Sequence, residues 1–521
     1  MTRVRLSIVL LLWTFGVASH AAAQTSLSNQ AAARFLDQAT WGSTPASVAA
    51  LQKTTMEGWL TVQYQTPSST LPAQPINDPD GQPNLDFTPV QRAFFQNTLT
   101  GQDQLRQRVA FALSEIWVIS GFSDRLAYAV PPYWSVLSNN AFGNYRDIIK
   151  AVTLSPGMGR YLNMANSNQA TAAAGSSPNE NYGRELMQVL TIGLNHLNQD
   201  GSLALDAHGN PIANYTNDQV TDMARLLTGW TYPTQPGVAP VNNNPNYFIG
   251  QLYAVESDHD TGSKTIFGGV QVPAGQTAEQ DLNSLLDALM AQKSMAPFVC
   301  AQLIQHLVTS NPSPAYISRV SAVFQNDGTG VVGNMQKVIS AILLDPEARA
   351  GDQAGAAPVS GFGHFREPVL FLANLLRGLN ATLTPTSGIQ VASSDLGQDL
   401  FFAPSIFNFF SPSYQTPSGV VAPELQIYST ATASLRTDVV NDILYGSIDG
   451  TTTFDLSPFQ QFGANNTDLV NYISAAFLHS TMSSDLRAAC LSAANAATSP
   501  GRAVQAALYV ALTSAEYQVI H

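Results

Sequence analysis

The chain has 521 residues, 45% hydrophobic and 11% charged, with 36 Gly, 30 Pro, two Cys and a formal net charge of −13. The ordinary apolar share excludes disorder, which needs low hydrophobicity with high charge, and so few Cys exclude a disulfide scaffold. Five widely spaced Lys and no basic run exclude nucleic acid as a partner, because phosphate-backbone binding depends on clustered cations; the acidity also disfavours anionic membrane surfaces.

At the N-terminus, Arg3 and Arg5 precede an apolar run from Leu6 to Val17 and the small residues Ala21, Ala22 and Ala23. This is the layout of a secretory signal cleaved after Ala23. The run is shorter than the roughly 20 residues of a membrane span, and no later stretch reaches that length without polar interruption. The expectation is a leader over 1–23 and an exported chain over 24–521, periplasmic or extracellular, with no transmembrane anchor. Without the leader the chain keeps 21 basic and 36 acidic residues. Cys300 and Cys490 are open to two readings, a disulfide in an oxidising compartment or two small buried hydrophobes.

Helical periodicity then dominates. A helix over Ala31–Thr40 ends at Trp41 and Gly42, and Thr44 caps another with Pro45 at its first position. Apolar residues at i, i+3, i+4 and i+7 predict helices at Gln91–Leu99, Gln102–Ser120, Tyr145–Leu154, Asn181–Gly193, Asp218–Leu227, Thr277–Met290 and Pro297–Thr309. The same pattern recurs at Pro314–Gln325, Met335–Leu344, Arg366–Leu379, Leu435–Leu444, Asp468–Leu478, Ser484–Ala497 and Ala503–Ser514. Leu197–Asn214, with turn dipeptides Asp200-Gly201 and His208-Gly209, reads as a small β-hairpin. The predicted fold is all-α: one large multi-helix domain of about fifteen helices with long loops, divisible into two lobes near residue 276.

Four constellations carry candidate chemistry. In PNENYGRELMQVLTIGL (Pro178–Leu194), Glu180 and Arg184 are spaced i,i+4, and so are Asn181 and Glu185. Glu180 or Glu185 would act as general acid or base with Arg184 holding a polar or anionic group; the bland reading is a helix N-terminus with acid in its first turn and a structural ion pair. Glu256, Asp258, His259, Asp260 and Lys264 form a loop cluster suited to a metal or to a base with its orienting acid. On an extended segment Asp258 and Asp260 share a side that His259 does not. His364, Arg366, Glu367 and Pro368 open a helix, with the acidic first turn of an ordinary cap as the bland reading. FFAPSIFNFFSPSY (Phe401–Tyr414) either lines a pocket or plugs the interior. His306, alone on an apolar helix, reads as a satisfied core residue. Gly328, Gly330 and Gly333 spell GxGxxG but follow a helix, so the dinucleotide fingerprint lacks its strand, and the signatures of serine esterases, P-loop ATPases, thermolysin-like proteases and c-type cytochromes are absent.

Taken together, ARFLDQATWGSTP, NAFGNYRDIIKAVTLSPGMGRYLN, PNENYGRELMQVLTIGL, the Tyr215–Trp230 tract, His259-Asp260 with Lys264, PAGQTAEQDL, LIQHLVTSNPSPAYISRVSAVF, ILLDPEAR, Arg366-Glu367-Pro368 and the aromatic tract resemble the bacterial exported family catalogued as "domain of unknown function 1800". The resemblance spans nearly the whole chain after the leader. It implies export, and it implies association with a second exported family that looks like the alkaline phosphatase and sulfatase superfamily. Where that family usually carries Arg after Leu-Ile-Gln, this chain has His306, which bears against an anion-binding role there.

The leading expectation is an exported hydrolytic enzyme acting on a polysaccharide or other envelope polymer. Glu180 and Glu185 would be its acid and base, Arg184 and Arg366 positioning groups, and His259 with Asp260 a second catalytic or metal-binding element. No cofactor or metal is identified by the sequence. The rival expectation is a non-catalytic envelope protein that binds a glycan or a phosphatase-like or sulfatase-like partner through the aromatic tract and loops. A third reading treats the polar clusters as buried ion pairs that fix helix register.

Overall fold

The computed structural model describes residues 27–170 and 177–521; the expected leader lies outside them. Among the described residues there are 22 α-helices and three two-stranded antiparallel sheets. The fold is therefore all-α, as the periodicity predicts, with more and shorter helices than the pattern alone separates. None is long and apolar enough to cross a membrane.

Local signals place the helix starts. Ser28 accepts a hydrogen bond from the Ala31 amide and opens Asn29–Ala39. Thr44 and Ser47 form a reciprocal capping box over Pro45–Leu51, satisfying amides that a helix N-terminus leaves unpaired. Helices that periodicity misses include Met56–Gln65, Val130–Asn140 and Pro156–Tyr161. In the second, Pro131 and Pro132 read as breakers yet sit in the first turn, where a missing N–H costs nothing. The predicted 181–193 helix is α-helical only over Asn181–Glu185 and continues as a π-helix over Leu186–Thr191. The Leu197–Asn214 hairpin is present as a small arm bridged at Leu197–Leu203, Leu205–Pro211 and Asn195–Ala213.

Among the described residues there are two large hydrophobic cores and a small cluster of Tyr128, Ala129, Tyr247 and Phe248. The first is drawn from residues between Ala31 and Ala348. The second joins residues between Trp41 and Trp134 to residues between Val369 and Ile520. Phe267, Val272, Ala278 and Leu282, on both sides of residue 276, belong to one and the same core. The helix Gln104–Ile116 is shared: Leu105, Val109, Ala112, Leu113 and Ile116 enter the first core, while Ala110 and Phe111 enter the second. Cys300 packs in the first core and Cys490 in the second, and both are unbridged.

Candidate functional site

The 104–116 helix contributes side chains to both cores, and two of its charged residues lie in the interior with them. Arg108 is fully buried and Glu115 is 6% exposed. Seven residues apart, they fall on nearly the same face. Three more elements close on this point. The last turn of the helix Met295–Leu307 brings His306; the start of Pro368–Gly378 brings Glu367 as its N-terminal flanking residue; the aromatic tract brings Asn408. Asn408 holds a left-handed φ of 59°, a conformation its short polar side chain tolerates.

The interactions are specific. Asn408 Nδ2 donates to Glu115 Oε1 at 3.1 Å. Gln398 Nε2 donates to Glu367 Oε2 at 2.6 Å and Gln398 Oε1 accepts from the Val369 amide. Arg108 donates to the His306 carbonyl at 2.8 Å. Glu115 Oε2 and His306 Nδ1 approach to 3.0 Å, yet out of line, so neither atom has an aligned hydrogen-bond partner. Beyond His306, His364 Nδ1 lies 2.9 Å from Glu424 Oε1, and Ser310 donates to Glu424 Oε2 at 2.8 Å.

Glu115 and Glu367 are within hydrogen-bonding reach of each other, and two carboxylates this close in a low-dielectric interior do not both ionise. Burial pushes the Glu115 carboxyl up to about 7, against the opposing pull of its hydrogen bonds and of Arg108. Burial and the Glu115 carboxyl hold Glu367 well above the usual carboxylate range. Burial lowers His306, so its ring is held toward the neutral form despite Glu367 and Glu424. Of the two carboxyls, Glu367 holds its proton the more firmly.

Two cavities meet at Glu115 and Asn408, which line both. The first is a narrow cavity of about 50 Å³ walled by Phe111, Tyr133, Trp134, Phe401 and Phe409. The second is smaller, about 20 Å³, and is lined by Gln302, Gln305, His306 and Glu424 together with Phe407 and Phe410. Val189, from the π-helical turn of the Pro178–Leu194 motif, also faces the second cavity. The aromatic tract is thus a lining as much as a plug.

The six residues that the sequence offers as catalytic or positioning groups line neither cavity. Glu180 pairs with Arg184 at 2.8 Å, both about one-third exposed, and accepts from the Thr221 hydroxyl at 2.9 Å. Glu185 is half-buried, and burial raises its carboxyl against the charge of Arg184. Asp260 is clasped by Arg225 through Nε at 2.9 Å and a second nitrogen at 3.0 Å. Thr221 and Arg225 are one turn apart, so Glu180, Arg184 and Asp260 flank one stripe of the helix Asn217–Leu226. His259 points away from Asp260: its Nδ1 is 3.0 Å from the Thr228 carbonyl and its Nε2 3.2 Å from Asp281, which Lys264 also contacts at 2.7 Å. Arg366 is buried in another ion cluster, where its guanidinium grips both Asp37 oxygens and His479 Nε2 adds a contact at 2.9 Å. Among the described residues no group of three or more His, Cys, Asp or Glu is arranged to hold a metal ion.

Glu115, Arg108, Gln398 and Glu424 are the residues that sequence reasoning passes over. The one available signal is the seven-residue spacing of Arg108 and Glu115, which puts both on nearly one face of their helix.

The family model described as "Protein of unknown function (DUF1800)" matches residues 34–519. No curated protein and no solved structure matches the chain.

Proposed function

The chain belongs to the DUF1800 family, and from that premise we propose that it is a hydrolase in which Glu115 is the general base. The observation that carries this reading is a buried carboxyl with one unsatisfied oxygen, lining two cavities, with a proton affinity near neutrality. A base works best when its pKa lies near the working pH. Glu367 is a positioning residue: it holds its proton more firmly than Glu115 does and is itself held by Gln398, while the charge of Arg108 favours the ionised form of Glu115.

The separation of the two carboxyls narrows the reaction. Glycosidase pairs stand roughly 5 to 9.5 Å apart to admit a sugar or a water, whereas these two are in hydrogen-bond reach of each other. A proton-sharing pair suits water activation against a carbonyl. Glu115 takes a proton from water, and the new hydroxyl adds to the carbonyl carbon. The tetrahedral intermediate then collapses, the bond from carbonyl carbon to leaving heteroatom breaks, and the proton on Glu115 passes to that heteroatom. The products are a carboxylic acid and an alcohol or amine. The secretory layout of residues 1–23 supports an acylated extracellular or envelope polymer as the natural target.

Hydrolysis of 4-nitrophenyl butyrate tests the role. Glu115→Gln, which keeps the shape, is expected to lower kcat by at least about 100-fold with the far-ultraviolet circular dichroism unchanged. Undiminished turnover in that variant removes Glu115 as base.

A second reading, an accessory protein for a phosphatase-like or sulfatase-like partner, is favoured by the β-arm. Leu194, Leu203 and Leu205 are each about half exposed there, and exposed apolar groups gathered on one element mark contact surfaces.

A further inference from the structure

Away from Glu115, a third cavity of about 240 Å³ has far more room than the two already described. The end of the helix Asn466–Phe477, Glu516 and the strand Val519–Ile520 all contribute to its lining. The chain leaves that helix through two successive non-glycine residues with left-handed φ, His479 at 52° and Ser480 at 66°. Such conformations cost energy and cluster at functional sites. Here the corner delivers the His479 ring to Asp37, whose two oxygens Arg366 grips.

Four of the lining side chains carry a polar hydrogen, and each hydrogen already has an acceptor. Thr481 donates to the Leu478 carbonyl at 2.7 Å, and the Ser483 hydroxyl donates to Glu516. A carboxylate and a carbonyl only accept. In its neutral form His479, bonded through Nε2 to Asp37 at 2.9 Å, therefore carries its hydrogen on Nε2. His521, bonded through Nδ1 to the Phe362 carbonyl at 3.1 Å, carries its own on Nδ1. Burial pushes the His521 ring down to about 4, so it is neutral at neutral pH. With both rings neutral, His479 Nδ1 and His521 Nε2 are bare lone pairs. Neither has a hydrogen-bond partner among the described residues, and neither is shut off from solvent.

Glu516 completes the set. It accepts from the Ser483 amide at 3.0 Å and from the Ser483 hydroxyl, and it has no ion-pair partner among the described residues. No Lys or Arg lines the cavity. Its side chains thus offer acceptors and one unpaired negative charge beside an apolar wall of Phe477, Leu478 and Val519. An anion is repelled there, and a neutral alcohol leaves the carboxylate without a counter-charge; an organic cation brings both the hydrogens and the charge. A bare metal ion fits less well, because among the described residues no group of three or more His, Cys, Asp or Glu is arranged to hold one. We propose that this cavity binds a primary ammonium group on a compact apolar body, with Glu516 as counter-ion and the two imidazole lone pairs as acceptors. The site is separate from Glu115 and does not depend on the hydrolase reading.

The test is calorimetric titration of the full chain at about pH 8, above the range in which an imidazole ordinarily charges. The probes are benzylamine, benzyl alcohol, benzoate and zinc chloride. Benzylamine, still cationic there, should bind at least about 10-fold more tightly than benzyl alcohol, the effect of one charge-assisted hydrogen bond. Benzoate should not bind. Glu516→Gln, at a half-buried position, should weaken benzylamine about 10-fold and leave benzyl alcohol unchanged. In nuclear magnetic resonance of the chain labelled with nitrogen-15 histidine, His479 should show a hydrogen-free Nδ1 whose resonance moves when benzylamine is added. Equal binding of the amine and the alcohol, or amine binding indifferent to Glu516→Gln, overturns recognition by charge. A His479 resonance that stays still while benzylamine binds places the amine elsewhere and overturns the site. Zinc bound and benzylamine not bound reassigns the cavity to a metal ion and overturns the ammonium. Binding of none of the probes overturns the proposal outright.

Discussion

At the scale of the residue, Glu115 and Glu367 tie stability to protonation. The ordinary Glu value is 4.5, and burial carries Glu115 to about 7 while Glu367 is held higher still. Between those two values the folded state binds more protons than the unfolded one, so this pair makes stability fall as pH rises from about 4.5 to 7. For Glu115 alone the loss is on the order of 3 kcal/mol. Glu115→Gln removes it, so the melting temperature of that variant relative to the parent should climb steadily from pH 4.5 to pH 7. A flat difference across that window would show that the carboxyl titrates normally. The wiring behind this was only partly legible in the sequence. His306, Glu367, His364 and Asn408 each stand out in the sequence, but each has a bland reading when taken alone. Glu115 meets His306 and Asn408 across 191 and 293 residues of chain, and no local pattern reports such a meeting. Glu180 and Arg184 are the converse: an i,i+4 pair is conspicuous in a charge-poor sequence, and the structure holds it as an ion pair about one-third exposed, of a kind worth little energetically. Asp260 likewise answers to Arg225, 35 residues away.

At the scale of the element, propensity and packing are in open competition in places. The helix Pro368–Gly378 ends on a glycine that helix propensity alone would replace with Ala for a gain of up to about 1 kcal/mol. A Cβ on Gly378, however, would come within 2.3 Å of the Phe477 ring in the helix Asn466–Phe477. Overpacking of that kind costs about 1 to 3 kcal/mol, so Gly378→Ala should lower stability in urea denaturation; a gain would mean the ring can swing aside. Element positions were largely legible in the sequence, because capping residues and 3.6-residue periodicity are local. The π-helical turn at Leu186–Thr191 was not, since the residues read as an ordinary amphipathic helix. There the Thr191 hydroxyl bonds back to the Leu186 carbonyl, and the widened turn leaves Val189 facing the second cavity. Such turns recur at functional sites.

At the scale of the whole molecule, the second core takes part of its substance from residues before 135 and the rest from residues after 368. Local pattern finds both sets of helices without disclosing that they pack together. The shared helix Gln104–Ile116 contributes side chains to both cores. Cutting the backbone at the exposed Val359–Gly361 loop would therefore give two pieces, neither of which can close the second core alone. Mixed in equal amounts, they should regain native circular dichroism that neither shows separately. If the first piece folds unaided, with a sharp melting transition of its own, the sharing of that helix is not what holds the halves together. A break in the covalent thread would thus be repaired by mutual templating, in the manner of a split reporter, and a protease that nicked this loop would leave the working assembly intact.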